Sequence, residues 1–393
     1  MAPSPARVAA YRVVRRVFEG GAFADRAFRG ESAGLAPRDR ALAMRLAYGT
    51  VQRKGTLAWV TGRFAKGKLE PGVRAALWLG LYQLLYTEVA DHAAIAESVE
   101  LAKPSPGHRV VNAVLRRVQR EGVELPGDDT PAGAAVRHSH PEWVVRLWWD
   151  WIGPDQTRAL LAADNEPAEH AVRVNTLVGG DFPGERDPEL PEARILQGPV
   201  DVFATPEWAA GAVMAQSRAS MHVARVVDPQ PGERVLDLCA APGGKTTHLA
   251  ALMGGEGEIV AVERHEGRAA ALRETCTRMR AEIVDVRVGD AKEPPVEGVF
   301  DRVLVDPPCT GLGTLRSHPD LRWRVTPQAV DRLAAEQDAI LAAARRHLRP
   351  GGRLVYSVCT LSPGEERLSG TMQRRLWPHE DGSEGFYIAS DDG

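Results

Sequence analysis

Along residues 5–120 apolar positions recur at helical spacing. Leu77, Leu81, Leu84 and Leu85 stand at i, i+4, i+7 and i+8, and Ile95, Val99 and Ala102 resume the pattern after Asp91. The stretch from His108 to Arg120 sets Val111, Val114, Leu115 and Val118 on one face and Arg109, Arg116, Arg117 and Arg120 mostly elsewhere. The spacing predicts an all-α bundle, residues 1–125, with no catalytic groups of its own. Residues 121–137 (EGVELPGDDTPAGAAVR) mix prolines and glycines with acids and read as a flexible connection. Next come a Trp-rich helix (Trp143, Trp148, Trp149, Trp151), a strand at 171–178 and a Pro/Gly-rich stretch at 179–200, so residues 138–220 read as a small α/β subdomain. From Arg234 the rhythm changes to short apolar strands at 235–239, 258–263, 285–290, 301–306 and 352–359, separated by helical stretches. That alternation predicts a parallel, doubly wound sheet over 221–393, with ligands at the carboxyl ends of its strands.

The composition, 44% hydrophobic and 26% charged over 393 residues, excludes disorder, coiled coil and collagen. Charges interrupt every apolar run before the ~20 residues that a membrane helix needs. Arg12, Arg15 and Arg16 also break the centre of any N-terminal signal peptide, so a cytoplasmic protein without membrane contact is expected. The net charge of −3 conceals a basic block of +11 in residues 1–120 and −14 in the rest. That asymmetry suits a nucleic-acid-handling appendage, although only 6 of the 49 cations are lysines and the arginines equally suit solvated helix faces. Cys239, Cys276, Cys309 and Cys359 form no C-x-x-C pair, which argues against a disulfide framework or a structural metal.

The segment Val235–Thr247 runs from strand into helix and ends in Gly-Lys-Thr. A triphosphate-binding loop needs Gly at position 239, which is Cys. Ala240, Ala241, Gly243 and Gly244 still let a ligand approach backbone at a helix N-terminus. Glu263 follows Asp237 by 26 positions, near the offset at which such folds set a carboxylate on a ribose diol, and Asp290 and Asp306 end the next two strands. Carboxylates and a Gly-rich turn without phosphate-binding cations suit S-adenosylmethionine (AdoMet). Cys309 follows Asp306-Pro-Pro and Cys359 closes the fifth strand, so both thiols can border one crevice. Cys239 and Cys276 read as small buried hydrophobes. The other pair has a chemical use: C5 of a pyrimidine is a poor nucleophile until a thiolate adds at C6, and Asp306 is suited to bonding the pyrimidine edge.

Cys239-Ala-Ala-Pro-Gly-Gly-Lys245, Asp306-Pro-Pro-Cys309-Thr-Gly-Leu-Gly, Arg316-Ser-His-Pro-Asp-Leu-Arg-Trp323 and Tyr356-Ser-Val-Cys-Thr360 resemble the RNA cytosine-C5 methyltransferases. Ser139-His-Pro-Glu-Trp143, Arg173-Val-Asn175 and Gln216 extend the likeness over 138–360. The bundle, through Arg45–Arg53, Leu79–Leu84 and Asn112–Arg116, is similar to NusB-like RNA-binding domains. The pairing resembles the RsmB/Fmu branch acting on 16S ribosomal RNA. The resemblance implies a Rossmann-like AdoMet-dependent methyltransferase domain preceded by the bundle and the α/β subdomain. It also implies Cys359 as nucleophile, Cys309 as the thiol aiding release, and Asp306 and Lys245 as substrate and cofactor contacts. AdoMet would be held by Cys239, Ala240, Ala241, Pro242, Gly243, Gly244, Lys245, Glu263, Asp290 and Asp306. Two departures stand out. Pro363-Gly-Glu-Glu366 replaces an Asn-Glu pair, and only about eight residues separate Glu366 from Arg375, so an edge strand and its covering helix are expected to be shortened or missing. That shortening motivates an alternative, a non-catalytic RNA-binding or ribosome-assembly factor. Methylation of an exocyclic amine would instead favour Asn-Pro-Pro-aromatic over Asp306-Pro-Pro-Cys309. Nothing in the sequence requires more than a monomer.

Overall fold

Helices at Pro5–Phe18, Ala24–Glu31, Pro37–Gln52, Lys54–Phe64, Pro71–Tyr86, Asp91–Ala102 and His108–Glu121 form the bundle that the periodicity predicts. Pro5, Pro37 and Pro71 open three of them, where a missing N–H costs nothing. Leu77, Ile95, Val111 and Leu115 lie in its core. The computed structural model describes residues 2–198 and 200–393. It divides into a helical unit, which runs to Asn165 and includes Leu315–Arg324, and a second unit of Glu166–Thr314 with Val325–Gly393. No helix among the described residues is long and apolar enough to cross a membrane.

The expected boundary at 121–137 is not where the chain divides. Thr130 caps a helix at Pro131–His138, its hydroxyl accepting from Gly133 N, and Arg137 Nε donates to Pro126 O at 2.8 Å. The Trp-rich helix Glu142–Ala163, kinked at Gly153-Pro154, follows in the same unit with Trp148 fully buried. The helical unit also contains a strap from far along the chain. Arg322 is fully buried and donates to Asn165 Oδ1 at 2.9 Å and to Asp164 O, Trp323 Nε1 donates to Val51 O at 2.7 Å, and Arg324 donates to Gly21 O at 3.0 Å and to Ala22 O. Local periodicity carries no trace of such a return.

In the second unit β1 (Ala171–Val174), β2 (Glu185–Arg186), β3 (Ala193–Ile195) and β4 (Val213–Ala215) form an antiparallel sheet in the order β2-β3-β1-β4. The expected 138–220 subdomain is therefore divided: its tryptophan helix joins the bundle and its strands join the second unit. The larger sheet contains β5 (Arg234–Asp237), β6 (Glu258–Glu263), β7 (Val284–Val288), β8 (Phe300–Val305), β9 (Leu348–Val358), β10 (Met372–Leu376) and β11 (Phe386–Asp392), in the order β10-β11-β9-β8-β5-β6-β7. β9, β8, β5, β6 and β7 run parallel, and β11 is antiparallel to both neighbours. Alternate side chains feed two cores, Val235, Ile259, Ala261, Leu304 and Val355 on one face and Leu236, Val260, Val262, Val303 and Leu354 on the other. Burial on both faces explains the uninterrupted apolar strands of the sequence.

The edge strand expected to be shortened or missing is present as a strand of 5 residues. β10 pairs with β11 from Met372↔Ser390 to Leu376↔Phe386 and completes a seven-stranded sheet. Among the described residues no covering helix precedes β10. A single 3₁₀ turn at Pro363–Glu365 and an extended link replace it, with Leu368 1% exposed and Tyr387 Oη donating to Leu368 O at 2.6 Å.

Candidate active site

The turn after β5 is shaped by Gly243, whose φ of +104° disfavours any L side chain and whose missing Cβ would sit 2.8 Å from Leu272 Cδ1. The helix Gly244–Leu252 begins there. Behind the turn Asp237 is buried, accepting from Thr246 Oγ1 at 2.8 Å and Cys239 N at 3.4 Å, and burial raises its carboxyl to about 6. Ala240 and Ala241 are buried, and Arg268 Nη2 donates to Ala241 O at 2.8 Å. Cys239 lies in this turn, its thiol pushed well above the ordinary value by burial and by the carboxylates around it. Burial likewise raises Cys276, to about 12. Neither has the activated character of a nucleophile.

At the end of β6, Glu263 is 5% exposed, accepts from His265 N at 2.9 Å and pairs with Arg268 at 3.4 Å. Asp290, two residues beyond β7, accepts from Lys292 N at 3.0 Å, a bond that holds its carboxyl below the usual range. Each acid therefore stands at the carboxyl end of its strand, as the alternation implies.

The ends of β5, β8 and β9 converge. Asp306 follows β8, Lys245 Nζ lies 2.7 Å from its Oδ2, and Ser357 Oγ on β9 donates to its Oδ1 at 2.8 Å. Burial works against the Lys245 ammonium. The charge and hydrogen bond of Asp306 outweigh it, with a further contribution from Cys359, and its pKa is raised. Cys309 Sγ and Cys359 Sγ are 3.4 Å apart and both thiols are partly exposed. The hydrogen bond to Cys359 and then burial push the Cys309 thiol well above the ordinary value, followed by the charges of Cys359, Glu365 and Asp306. The two sulfurs therefore face each other at the strand ends where the Asp306–Lys245 pair also stands.

Arg173, Asn175 and Gln216 of the remaining motifs are bound into the fold. Arg173, fully buried on β1, donates to Gln216 Oε1 at 2.9 Å and Thr247 Oγ1 at 2.8 Å, tying the small sheet to the helix after the turn. Asn175 Nδ2 donates to Gly211 O and Met279 O. Sequence reasoning gave no role to Ser357, Thr310, Thr360, Gln337 or Glu365. Glu365 is fully buried and accepts from Thr310 N at 2.9 Å, yet it belongs to the Pro-Gly-Glu-Glu stretch that read only as a departure. Its partner Gln337 is 28 residues upstream on the helix Pro327–Arg346, a separation that no local motif discloses.

Comparison with known proteins identifies the family. Residues 224–369 match the family model described as 16S rRNA methyltransferase RsmB/F, and residues 4–120 match that of the NusB family. The probable ribosomal RNA small subunit methyltransferase B of Synechocystis sp. is 36% identical over 386 residues, covering 91% of this chain and 86% of the relative. The ribosomal RNA small subunit methyltransferase B of Sodalis glossinidius is 35% identical over 399 residues, covering 95% and 90%. The crystal structure of PH0851 superposes with a TM-score of 0.81 at 25% identity over 99% of each chain. With both halves matched and most of each relative's length spanned, the chain belongs to the RsmB/F family of 16S rRNA methyltransferases.

Proposed function

We propose that this methyltransferase transfers the methyl group of AdoMet to C5 of a cytidine in small-subunit ribosomal RNA, through a covalent bond between Cys359 Sγ and C6. The observation that carries this reading is the 3.4 Å approach of two thiols beside an Asp306–Lys245 pair.

The residues around the β5 turn fit AdoMet. Lys245 is engaged by Asp306 and Arg268 by Ala241 O and Glu263, so neither is free for a phosphate. Glu263 and Asp290 offer carboxylate oxygens to hydroxyl and amino groups, and Gly243 lets a ligand approach the backbone. The turn residues Cys239 to Lys245 would hold AdoMet with Glu263, Asp290 and Asp306. When bound, it supplies an electrophilic methyl group.

Cys359 attacks as the thiolate. Its electron pair forms the S–C6 bond, and the C5=C6 pair becomes available at C5. Lys245 offers positive charge to the thiolate and to the electron-rich ring, and Asp306, oriented by Lys245 and Ser357, accepts from the base's exocyclic amine. Once Cys359 is a thioether, the largest influence holding the proton on Cys309 is gone. Cys309 loses that proton to solvent and then removes the C5 proton. The C–H pair restores C5=C6, and the C6–S pair returns to Cys359 as thiolate. The basic block of residues 1–120 supplies counter-charge for RNA backbone. RNA and AdoMet are cytoplasmic reactants, and the reading sets the protein there.

The test is a denaturing gel of Cys309→Ala protein incubated with AdoMet and small-subunit ribosomal RNA. A protein–RNA band that is retained with Cys309→Ala and lost when Cys359 is also replaced is the expected result. Methyl transfer by Cys359→Ala at the wild-type rate would overturn the assignment.

A further inference from the structure

A buried polar network joins the loops that carry the two thiols. Thr310, next to Cys309, donates its N–H to Glu365 Oε1 at 2.9 Å and its hydroxyl to Glu365 Oε2. Thr360, next to Cys359, lies with its Oγ1 2.6 Å from Thr310 Oγ1 and accepts from Leu312 N at 3.2 Å. Gln337 Nε2 donates to Glu365 Oε1 at 3.2 Å and to Pro308 O at 2.9 Å, and its Oε1 accepts from Tyr356 Oη at 3.0 Å. Tyr356 Oη also lies 2.7 Å from Glu365 O. Pro307 and Pro308 have no N–H, so the chain leading into Cys309 has few backbone donors with which to fix itself.

The hydrogen bonds have one consistent direction. Leu312 N–H points to Thr360 Oγ1 and the Thr310 hydroxyl to Glu365 Oε2, so the short contact between the two hydroxyls is left for the Thr360 proton, which also lies within 3.5 Å of Glu365 Oε2. Glu365 accepts on both oxygens, an arrangement that suits a carboxylate, while burial raises its pKa. A protonated or amide side chain in its place has to donate at Oε2. The hydroxyl chain then reverses, and the Thr360 proton points at no acceptor.

We propose that Glu365 is a positioning residue for the release half of the reaction: its carboxylate, through Thr310 and Thr360, fixes Cys309 against Cys359 so that Cys309 reaches the C5 proton. This rests on the covalent reading above. Cys359 extends directly from β9, whose pairing to β8 and β11 holds its backbone independently of Glu365, so bond formation at C6 does not depend on the network.

The isosteric Glu365→Gln therefore separates the two half-reactions. Incubated with AdoMet and small-subunit ribosomal RNA, it is expected to transfer one methyl group per enzyme within about twofold of the wild-type single-turnover rate. Its steady-state turnover falls at least about tenfold, and a denaturation-resistant protein–RNA band accumulates that needs Cys359. A merely structural role lowers both phases together and traps nothing. Thr360→Val, which breaks the link between the hydroxyls and leaves Thr310 on Glu365, is the second variant and is read in the same way if Glu365→Gln fails to fold. Wild-type turnover by both variants, or equal loss of both phases without a trapped band, overturns the proposal. Cys309→Ala run alongside separates the two ideas. A band with Cys309→Ala but with neither network variant removes Glu365 from the release step and leaves the covalent mechanism standing. No band with any variant, beside an active wild type, overturns the covalent mechanism and this proposal with it.

Discussion

In the helical unit Arg322, Asp164 and His140 are buried together, and Arg322 Nε and Asp164 Oδ1 have no hydrogen-bond partner among the described residues. In the second unit both oxygens of Glu365 are met by donors. Imperfect pairing shows in the first cluster's protonation. Burial raises Asp164 to about 7 and lowers Arg322 to about 10, and it drives His140 well below its ordinary value. A buried ionic group with unmet atoms costs stability by itself and is kept by what it anchors, here the strap at 315–324. A fully satisfied carboxylate instead supplies fixed geometry to the groups around it. The contrast assigns anchoring to one cluster and alignment to the other, and substitutions should separate the two.

The largest effect is expected at Cys359→Ala. Methyl transfer falls by at least about a thousandfold, while melting temperature and AdoMet binding, followed by calorimetry, stay near wild type. Arg322→Met should show the opposite pattern. Losing one partner of a buried cluster costs about 3–5 kcal/mol, read as a lowered denaturant midpoint, whereas the protein that remains folded keeps its transfer rate. A stable Arg322→Met protein that cannot transfer methyl groups would reverse the contrast. Lys245→Met removes positive charge from beside Cys359 and Asp306. It should slow single-turnover transfer by roughly a hundredfold with a small change in midpoint.

The smallest effect is a pair of opposing pH slopes. His248, fully buried in the second unit, is lowered to about 4 by burial, so between pH 4 and its unfolded value of 6.5 the unfolded chain binds the extra proton. Stability rises with pH through that window, by less than about 3 kcal/mol. Asp164 is raised from 3.8 to about 7, so here the native state binds the extra proton and stability falls as pH rises through that range. Thermal melts from pH 4.5 to 7 should show His248→Asn flattening the rising slope and Asp164→Asn the falling one. Matching slopes in the two variants would remove the electrostatic distinction between the two buried groups, one in each unit.

What the sequence disclosed follows from the range of each signal. The bundle and the doubly wound sheet are legible because helical spacing and buried parallel strands are local patterns, and Leu77, Val111, Ile259 and Leu304 lie in cores as expected. Cys309, Cys359, Asp306 and Lys245 were found because each stands in a short motif at a strand end, and they converge in the fold. Glu365 and Gln337 were not found, since their meeting depends on a 3₁₀ turn folding against a helix far upstream. A shortened or missing edge strand and covering helix were expected from a count of residues. The count is correct for the missing helix, but a strand of five residues needs little chain and is fixed by its pairing with β11. The boundary at 121–137 was misjudged because Pro131 and Gly133, read as linker residues, lie in the first turn of a helix that Thr130 caps.

The strap makes the helical unit a product of two separate stretches of gene. A fragment ending at Asn165 would lack Arg322 and Trp323, leaving Asp164 O without the guanidinium that bonds it and an open slot beside Val51. A fragment beginning at Glu166 would carry Trp323 with nothing to cover it. Neither half can be transplanted by a single cut and fusion, so exchanging the helical unit between relatives requires moving residues 315–324 along with the bundle.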